Sequence, residues 1–180
     1  MKTKLIVALI AAAGFASAHA QSYVGGNLGR AEQKLDFGDG DIKDSDVSAK
    51  IYGGWKFNKT FAVEGGYQYL GKGEIGTNTD SLNARVQSIF VAAVATLPVN
   101  EDFSLFAKVG ASRNRTKISG TGFSAYKENR TTPLLGIGAE YAFNAKISAI
   151  AEYENFGKVV KDNGADLKVD TLSYGLRFKF

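Results

Sequence analysis

Residues Leu172-Ser173-Tyr174-Gly175-Leu176-Arg177-Phe178-Lys179-Phe180 close the chain. Every even position is apolar and every odd one small or charged. A period of two describes a strand with one apolar and one polar face. A soluble strand would turn its apolar face toward a core. Here the polar face bears two full positive charges, Arg177 and Lys179, and the apolar face ends on an aromatic, Phe180. The pattern fits a strand whose apolar side meets lipid and whose polar side lines an interior.

The opposite end agrees. Lys2 and Lys4 precede an apolar run from Leu5 to Phe15, followed by Ala18-His19-Ala20. A positive start, a short apolar centre and an A-x-A site read as a secretory signal peptide cut before Gln21. A membrane anchor helix is the competing reading, but spanning about 30 Å of hydrocarbon needs roughly 20 apolar residues. The expected division is therefore 1–20 as signal peptide and 21–180 as one domain.

Composition narrows the class further. No later stretch is long and apolar enough for a membrane helix, so a chain integral to a membrane has only the closed barrel left to it. The 21 glycines and 2 prolines suit a strand-rich chain. The formal charge of +4 becomes +2 once Lys2 and Lys4 are set aside, too mild a balance to argue for nucleic acid. There is no cysteine, and the one histidine is His19, inside the leader. Thiol enzymes, histidine-based triads and imidazole metal sites are excluded from 21–180. No cofactor, metal site or catalytic residue is expected.

Eight alternating segments can be marked, at approximately 22–33, 47–57, 60–71, 84–97, 103–114, 132–143, 146–157 and 170–180. Each is long enough for a membrane strand of about 9–11 residues. Asn58-Lys59, the stretch 98–102 and Asn144-Ala145 read as short turns, whereas 34–46, 72–83, 115–131 and 158–169 read as longer polar loops. Short turns at one end and long loops at the other is the layout of an outer-membrane barrel, with both termini periplasmic. Ile51, Phe61, Val63, Tyr67, Leu105, Val109, Leu135, Ile137, Tyr153 and Leu172 fall on the lipid side. Lys50, Tyr52, Lys56, Glu64, Gln68, Lys108, Glu140, Glu152 and Glu154 fall on the lumen side. The stretch 86–97 is apolar on both faces and leaves its register open.

Trp55, Phe57, Phe61, Phe103, Tyr141, Phe143, Phe178 and Phe180 gather near the short-turn end, and Tyr67, Tyr69, Tyr153 and Phe156 near the long-loop end. Two aromatic bands around an aliphatic middle match membrane girdles. A soluble calyx of lipocalin type would instead enclose the apolar face and expose the charged one.

The run Trp55-Lys56-Phe57-Asn58-Lys59-Thr60-Phe61-Ala62-Val63-Glu64-Gly65-Gly66-Tyr67-Gln68-Tyr69-Leu70-Gly71 resembles the second hairpin of the outer membrane protein A transmembrane domain. Tyr23-Val24-Gly25-Gly26-Asn27-Leu28-Gly29 resembles its first strand, and Gly136-Ile137-Gly138-Ala139-Glu140-Tyr141 and Ala151-Glu152-Tyr153 its sixth and seventh. The resemblance covers essentially all of 21–180 and implies an all-β fold, an eight-stranded antiparallel up-and-down transmembrane β-barrel in the bacterial outer membrane. Ending at Phe180, the chain is expected to lack the family's peptidoglycan-binding domain. It is closer in extent to stand-alone barrels such as outer membrane protein X. The resemblance also implies that Tyr174, Leu176, Phe178 and Phe180 form the signal read by the barrel-assembly machinery.

An eight-stranded barrel is just wide enough for its own side chains. Glu64, Glu140, Glu152 and Glu154 with Lys108, Arg177 and Lys179 are expected to form a lumen charge network, with Lys50 and Lys56 on the same face. The family's lumen glutamates, at Glu64 and Glu140, pair with basic residues. Here Ile150 and Val94 stand where the family has its strand-seven and strand-four bases, which leaves Lys108 and Arg177 as partners.

Asp36, Asp39, Asp41, Asp44 and Asp46 in the first loop lack a good calcium-binding pattern and read as solvated. Arg113, Arg115, Lys117, Lys127 and Arg130 could contact lipopolysaccharide phosphates. The expected function is a structural or surface-interaction, adhesion-type role, as a monomer among outer-membrane lipid and lipopolysaccharide. Rival readings are a narrow porin-like channel and, third, a lipid-modifying enzyme.

Overall fold

A computed structural model describes residues 21–36, 41–77, 80–120, 123–162 and 165–180. The leader expected at 1–20 lies outside them. Alternation becomes eight strands: β1 (Gln21–Asp36), β2 (Asp41–Lys56), β3 (Phe61–Thr77), β4 (Asp80–Pro98), β5 (Phe103–Gly120), β6 (Phe123–Ala142), β7 (Ile147–Asp162) and β8 (Ala165–Lys179). Each pairs antiparallel with the next, and β8 returns to β1 to close the barrel. The closing register runs from Tyr23↔Lys179 to Asp36↔Asp166. Just beyond it, the Phe180 amide donates to the Ser22 carbonyl at 2.9 Å. Closure pairs backbone groups that hydrocarbon could not satisfy.

The faces follow the period of two. Leu28, Ile51, Ile89, Val109, Ile137 and Tyr174 are exposed on the outer wall, while Asn27, Lys50, Glu64, Lys108, Glu140, Glu152 and Arg177 are buried inside. Pairing settles the strand that was ambiguous in sequence. Glu64↔Ala92 turns Val86, Ser88, Phe90, Ala92 and Val94 inward, and Ile89, Val91 and Leu97 outward.

The three described turns at the periplasmic end are copies of one device. The Asn58 carboxamide oxygen accepts from the amides of Thr60 (2.8 Å) and Phe61 (2.7 Å). Asn100 does the same for Asp102 and Phe103, and Asn144 for Lys146 and Ile147. An apolar residue on each side, Phe57 and Phe61, Val99 and Phe103, or Phe143 and Ile147, closes the turn through a backbone bond of 2.9–3.0 Å. An asparagine oxygen satisfying two turn amides explains why that residue recurs here.

The other end differs from expectation. Most of 34–46, 72–83, 115–131 and 158–169 is strand rather than loop. Once a strand leaves the bilayer, its outward face turns polar and the apolar alternation fades, but the ladder continues. It does not continue all the way round. Among the described residues, β2–β3 pairing stops at Ala49↔Tyr69 and β6–β7 pairing at Leu135↔Asn155. The other six pairs of neighbours go on past this level. The barrel therefore opens along two seams into two four-stranded sheets, β7-β8-β1-β2 and β3-β4-β5-β6. Bulges lie beside both seams, with glycines in the left-handed region at Gly71 (φ 86°) and Gly157 (φ 64°), a conformation costly for other residues.

Between these sheets a buried apolar cluster forms, with Gln33, Asn114, Thr116 and Thr132 buried beside it. Ala31, Phe156, Val159 and Val169 from one sheet and Leu70, Val86 and Leu134 from the other are buried in one cluster. Phe156 thus belongs to the interior, not to the outer aromatic band. It shares the parity of Glu152 and Glu154, and at this level the interior accepts an aromatic ring.

Candidate functional site: a charged lumen

Below the apolar cluster, strand parity brings ionic side chains from six strands to one axis. Lys50 on β2 contacts Glu152 and lies 2.9 Å from Glu154, both on β7. Lys108 on β5 contacts Glu64 and Glu152 and lies 3.7 Å from Glu154. Arg177 on β8 lies 2.7 Å from Glu140 and 3.4 Å from Glu64. Lys179 meets Glu140 at 2.5 Å. Four cations and four carboxylates form one continuous chain with no net charge. Glu152 and Glu154 sit two apart on one face, a repulsive spacing by itself. Lys50 and Lys108 bridge both, which offsets the repulsion.

Neutral groups complete the shell. The Tyr23 hydroxyl donates to Glu64 at 3.2 Å, and the Asn27 carboxamide donates to Glu152 and to Ser173, each at 3.3 Å. The Arg177 guanidinium lies 4.3 Å from the centre of the Tyr23 ring. Lys108 lies 5.4 Å from that of Tyr52 and 5.5 Å from that of Phe106. Cations over aromatic faces recover part of the hydration lost on burial.

The rings reach these positions because their ladder partners are glycines. Tyr52 lies over Gly25, where a Cβ would come within 2.3 Å of the ring, and Tyr23 lies over Gly54, where it would come within 2.1 Å.

The expected lumen residues therefore meet, with differences of detail. Lys50, placed on the lumen face but outside the expected network, is one of its hubs. Tyr23 and Asn27 were missed, although the parity of β1 aims both inward. Lys56 makes no ion pair among the described residues. It lines a cavity of about 440 Å³ at the periplasmic mouth with Lys179, Glu140, Asn58 and Asn100. Val94 and Ile150 are buried, and among the residues whose burial is described β4 adds no charge to the lumen. Tyr174, Leu176, Phe178 and Phe180 are exposed along one outer rail. Of the acidic set, Asp36, Asp41, Asp44 and Asp46 lie on strands and Asp39 lies outside the described residues. Arg115 and Lys117 belong to β5, and Lys127 and Arg130 to β6, rather than to the loop expected at 115–131, and Arg113 lies on β5 as well.

Comparison with known proteins agrees with this architecture. The OmpA-like transmembrane domain model matches residues 17–180. Outer membrane protein A of Shigella flexneri is 26% identical over 198 residues, and that of Salmonella typhi 27% over 197. Each match takes in 100% of this chain and 56% of the relative, so the chain spans little more than half their length. Among solved structures, Neisserial surface protein A is 22% identical with a TM-score of 0.63, covering 91% of this chain and 100% of that one. Ail of Yersinia pestis, solved with the heparin analogue sucrose octasulfate, is 18% identical with a TM-score of 0.63 over the same shares. OprG of Pseudomonas aeruginosa is 9% identical, also at 0.63, covering 89% and 96%. These structures share the fold. With its closed eight-stranded wall, apolar outside and ion-paired inside, the chain belongs to the OmpA-like transmembrane domain family of the bacterial outer membrane.

Proposed function

We propose that this barrel works through its outer and extracellular surfaces, in a structural or adhesion-type role, and that its lumen neither conducts solutes nor catalyses. The observation behind this reading is the unbroken chain Lys50–Glu152–Lys108–Glu64–Arg177–Glu140 across the interior. A channel needs unpaired lining charge and open space, whereas each of these carboxylates is held by at least one cation. Opening a path would separate buried ion pairs, each costing about 3–5 kcal/mol when one partner is lost. The apolar cluster above the charges is a second barrier. Enzymatic use of Glu152 and Glu154 is disfavoured by the same pairing, and residues 21–180 contain neither histidine nor cysteine.

The reading includes a leader removed before Gln21, recognition of the Tyr174-to-Phe180 rail by the assembly machinery, and a monomeric barrel in contact with lipopolysaccharide. Planar-bilayer recording tests the closed lumen: the expected result is no steady unitary conductance, and reproducible openings would overturn it. Exchange of the extracellular extensions with those of an unrelated barrel, scored by binding to host cells, tests the adhesion role; undiminished binding would remove it.

A further inference from the structure

The two outer sheets carry their positive charge in opposite ways. On β7-β8-β1-β2 the register aligns Lys158, Lys168, Lys34 and Lys43 in one row. The next row inward holds Asp170 and Glu32, and the next outward Asp166, Asp36 and Asp41. Lys34 lies 3.5 Å from Glu32 and 3.6 Å from Asp170. That face neutralises itself.

On β3-β4-β5-β6 the corresponding row reads Lys72, Arg85, Lys117 and Lys127. Beneath it come Tyr69, Gln87, Arg115 and Asn129, and then Tyr67, Ile89, Arg113 and Thr131. Lower rows are apolar, ending on Phe61, Ala95, Ala107 and Ile137. Arg85, Arg113, Arg115 and Lys117 are all exposed, and none makes an ion pair among the described residues. The register places Glu74 a row beyond Lys72, and Asp46 of β2 lies at the edge of this sheet, against Gly71. Arg130 pairs with Asn114 and has inward parity, so it is not part of this face.

Height identifies the occupant. Five rows from Phe61 to Lys72, at about 6.8 Å each and a tilt of about 40°, rise about 26 Å, matching the apolar band of about 25 Å on membrane barrels. The row of Arg85 and Lys117 therefore stands at the outer-leaflet headgroups, with Arg115 one row and Arg113 two rows below it, about 5 and 10 Å lower, from which long guanidinium side chains snorkel upward. A ligand there must place acyl chains against the apolar rows and anionic groups against the guanidinium forks, which suit phosphate.

We propose that the outer face of β3–β6 is a binding site for a phosphorylated glycolipid of the outer leaflet, its phosphates held by Arg85, Arg113, Arg115 and Lys117. This rests on the reading that the barrel engages lipopolysaccharide. It goes further in placing the site on one sheet and leaving the other without it.

The test uses the folded barrel in neutral phosphatidylcholine nanodiscs, titrated with bisphosphorylated lipid A and with lipid A stripped of phosphate. The variants are Arg85→Gln/Arg113→Gln/Arg115→Gln/Lys117→Gln and, on the other sheet, Lys34→Gln. The quadruple variant should keep its heat-modifiable mobility, which reports a folded barrel, yet bind bisphosphorylated lipid A about tenfold or more weakly, as loss of several charge-assisted contacts entails. Lys34→Gln should bind like the wild type. If the wild type does not bind lipid A, the lipopolysaccharide reading itself fails. If the wild type binds but the quadruple variant binds equally, the site is misplaced. Equal binding of dephosphorylated lipid A, or of phosphatidylglycerol at the same mole fraction, also overturns the proposal.

Discussion

Arg177 on β8 reaches Glu64 on β3, with Nη2 3.4 Å from Oε2, while its Nη1 lies 2.7 Å from Glu140 on β6. One guanidinium thus ties together three strands that are not ladder neighbours of one another. Glu64 is also held by Lys108 and Tyr23, so the groups behave as a unit rather than as separable pairs.

Removing one member should therefore cost more than removing a matched pair. Arg177→Ala or Glu64→Ala is expected to destabilise the folded barrel by about 3–5 kcal/mol, the cost of stranding a buried charge. Lys108→Met should likewise be costly, and the double variant Lys108→Met/Glu64→Gln should lose clearly less than the sum of Lys108→Met and Glu64→Gln alone. Urea unfolding in detergent micelles measures this. An unchanged midpoint for Glu64→Ala would place that residue outside the network.

The asparagine turns give a second, local expectation. Asn58, Asn100 and Asn144 each accept two backbone amides, and a net hydrogen bond contributes about 0.5–1.5 kcal/mol. Because these amides are exposed to water, each Asn→Ala variant should lose about 1 kcal/mol. Asn→Asp should lose less, since a carboxylate can accept the same two amides. Equilibrium unfolding of the three variants decides the point; a loss at one turn alone would show that the copies are not equivalent.

Phe180 offers a separation of assembly from stability. Its side chain is exposed on the lipid face, and its amide bond to Ser22 is the outermost of the closing seam. Deleting Phe180 removes little packing, so the refolded protein should retain its midpoint within about 1 kcal/mol, the range of a single exposed contact. The amount of folded barrel recovered from cells should nevertheless fall several-fold. Arg177→Ala should show the reverse pattern. If both variants fail identically at insertion, the two roles are not separate.

What was readable beforehand followed from locality. The lumen face of β3 or β7 is a matter of parity within one strand, so Glu64, Gln68, Glu152 and Glu154 could be placed from sequence. Which cation meets which carboxylate depends on how far each strand is staggered round the barrel, and no local pattern encodes that. Lys50 and Glu152, 102 residues apart, meet only through this stagger. β4 was ambiguous because both faces are apolar and only its pairing with β3 discriminates them. The outer extensions were invisible for a different reason. Above the bilayer the outward face is polar, so exposed Arg115 and Lys117 alternate with buried but polar Asn114 and Thr116, and a polar–polar alternation looks like loop. Gly71 and Gly157, which mark the bulges, cannot be told in sequence from glycines lying under rings, such as Gly25.

The seams make the last expectation. Above Ala49↔Tyr69 and Leu135↔Asn155, the strands β2, β3, β6 and β7 each have one paired edge and one unpaired edge. In the same tier β1, β4, β5 and β8 are paired on both sides. Amide exchange follows local opening, and amides aimed at an open edge lack the ladder bond that slows it. Every second amide of 41–48 and 70–77 should therefore exchange rapidly, while 30–35 and 112–117 remain protected at the same height. Hydrogen exchange read by NMR in nanodiscs resolves the alternation. Uniform protection across β2 and β3 would mean that the wall stays closed to its top and that the two sheets are one.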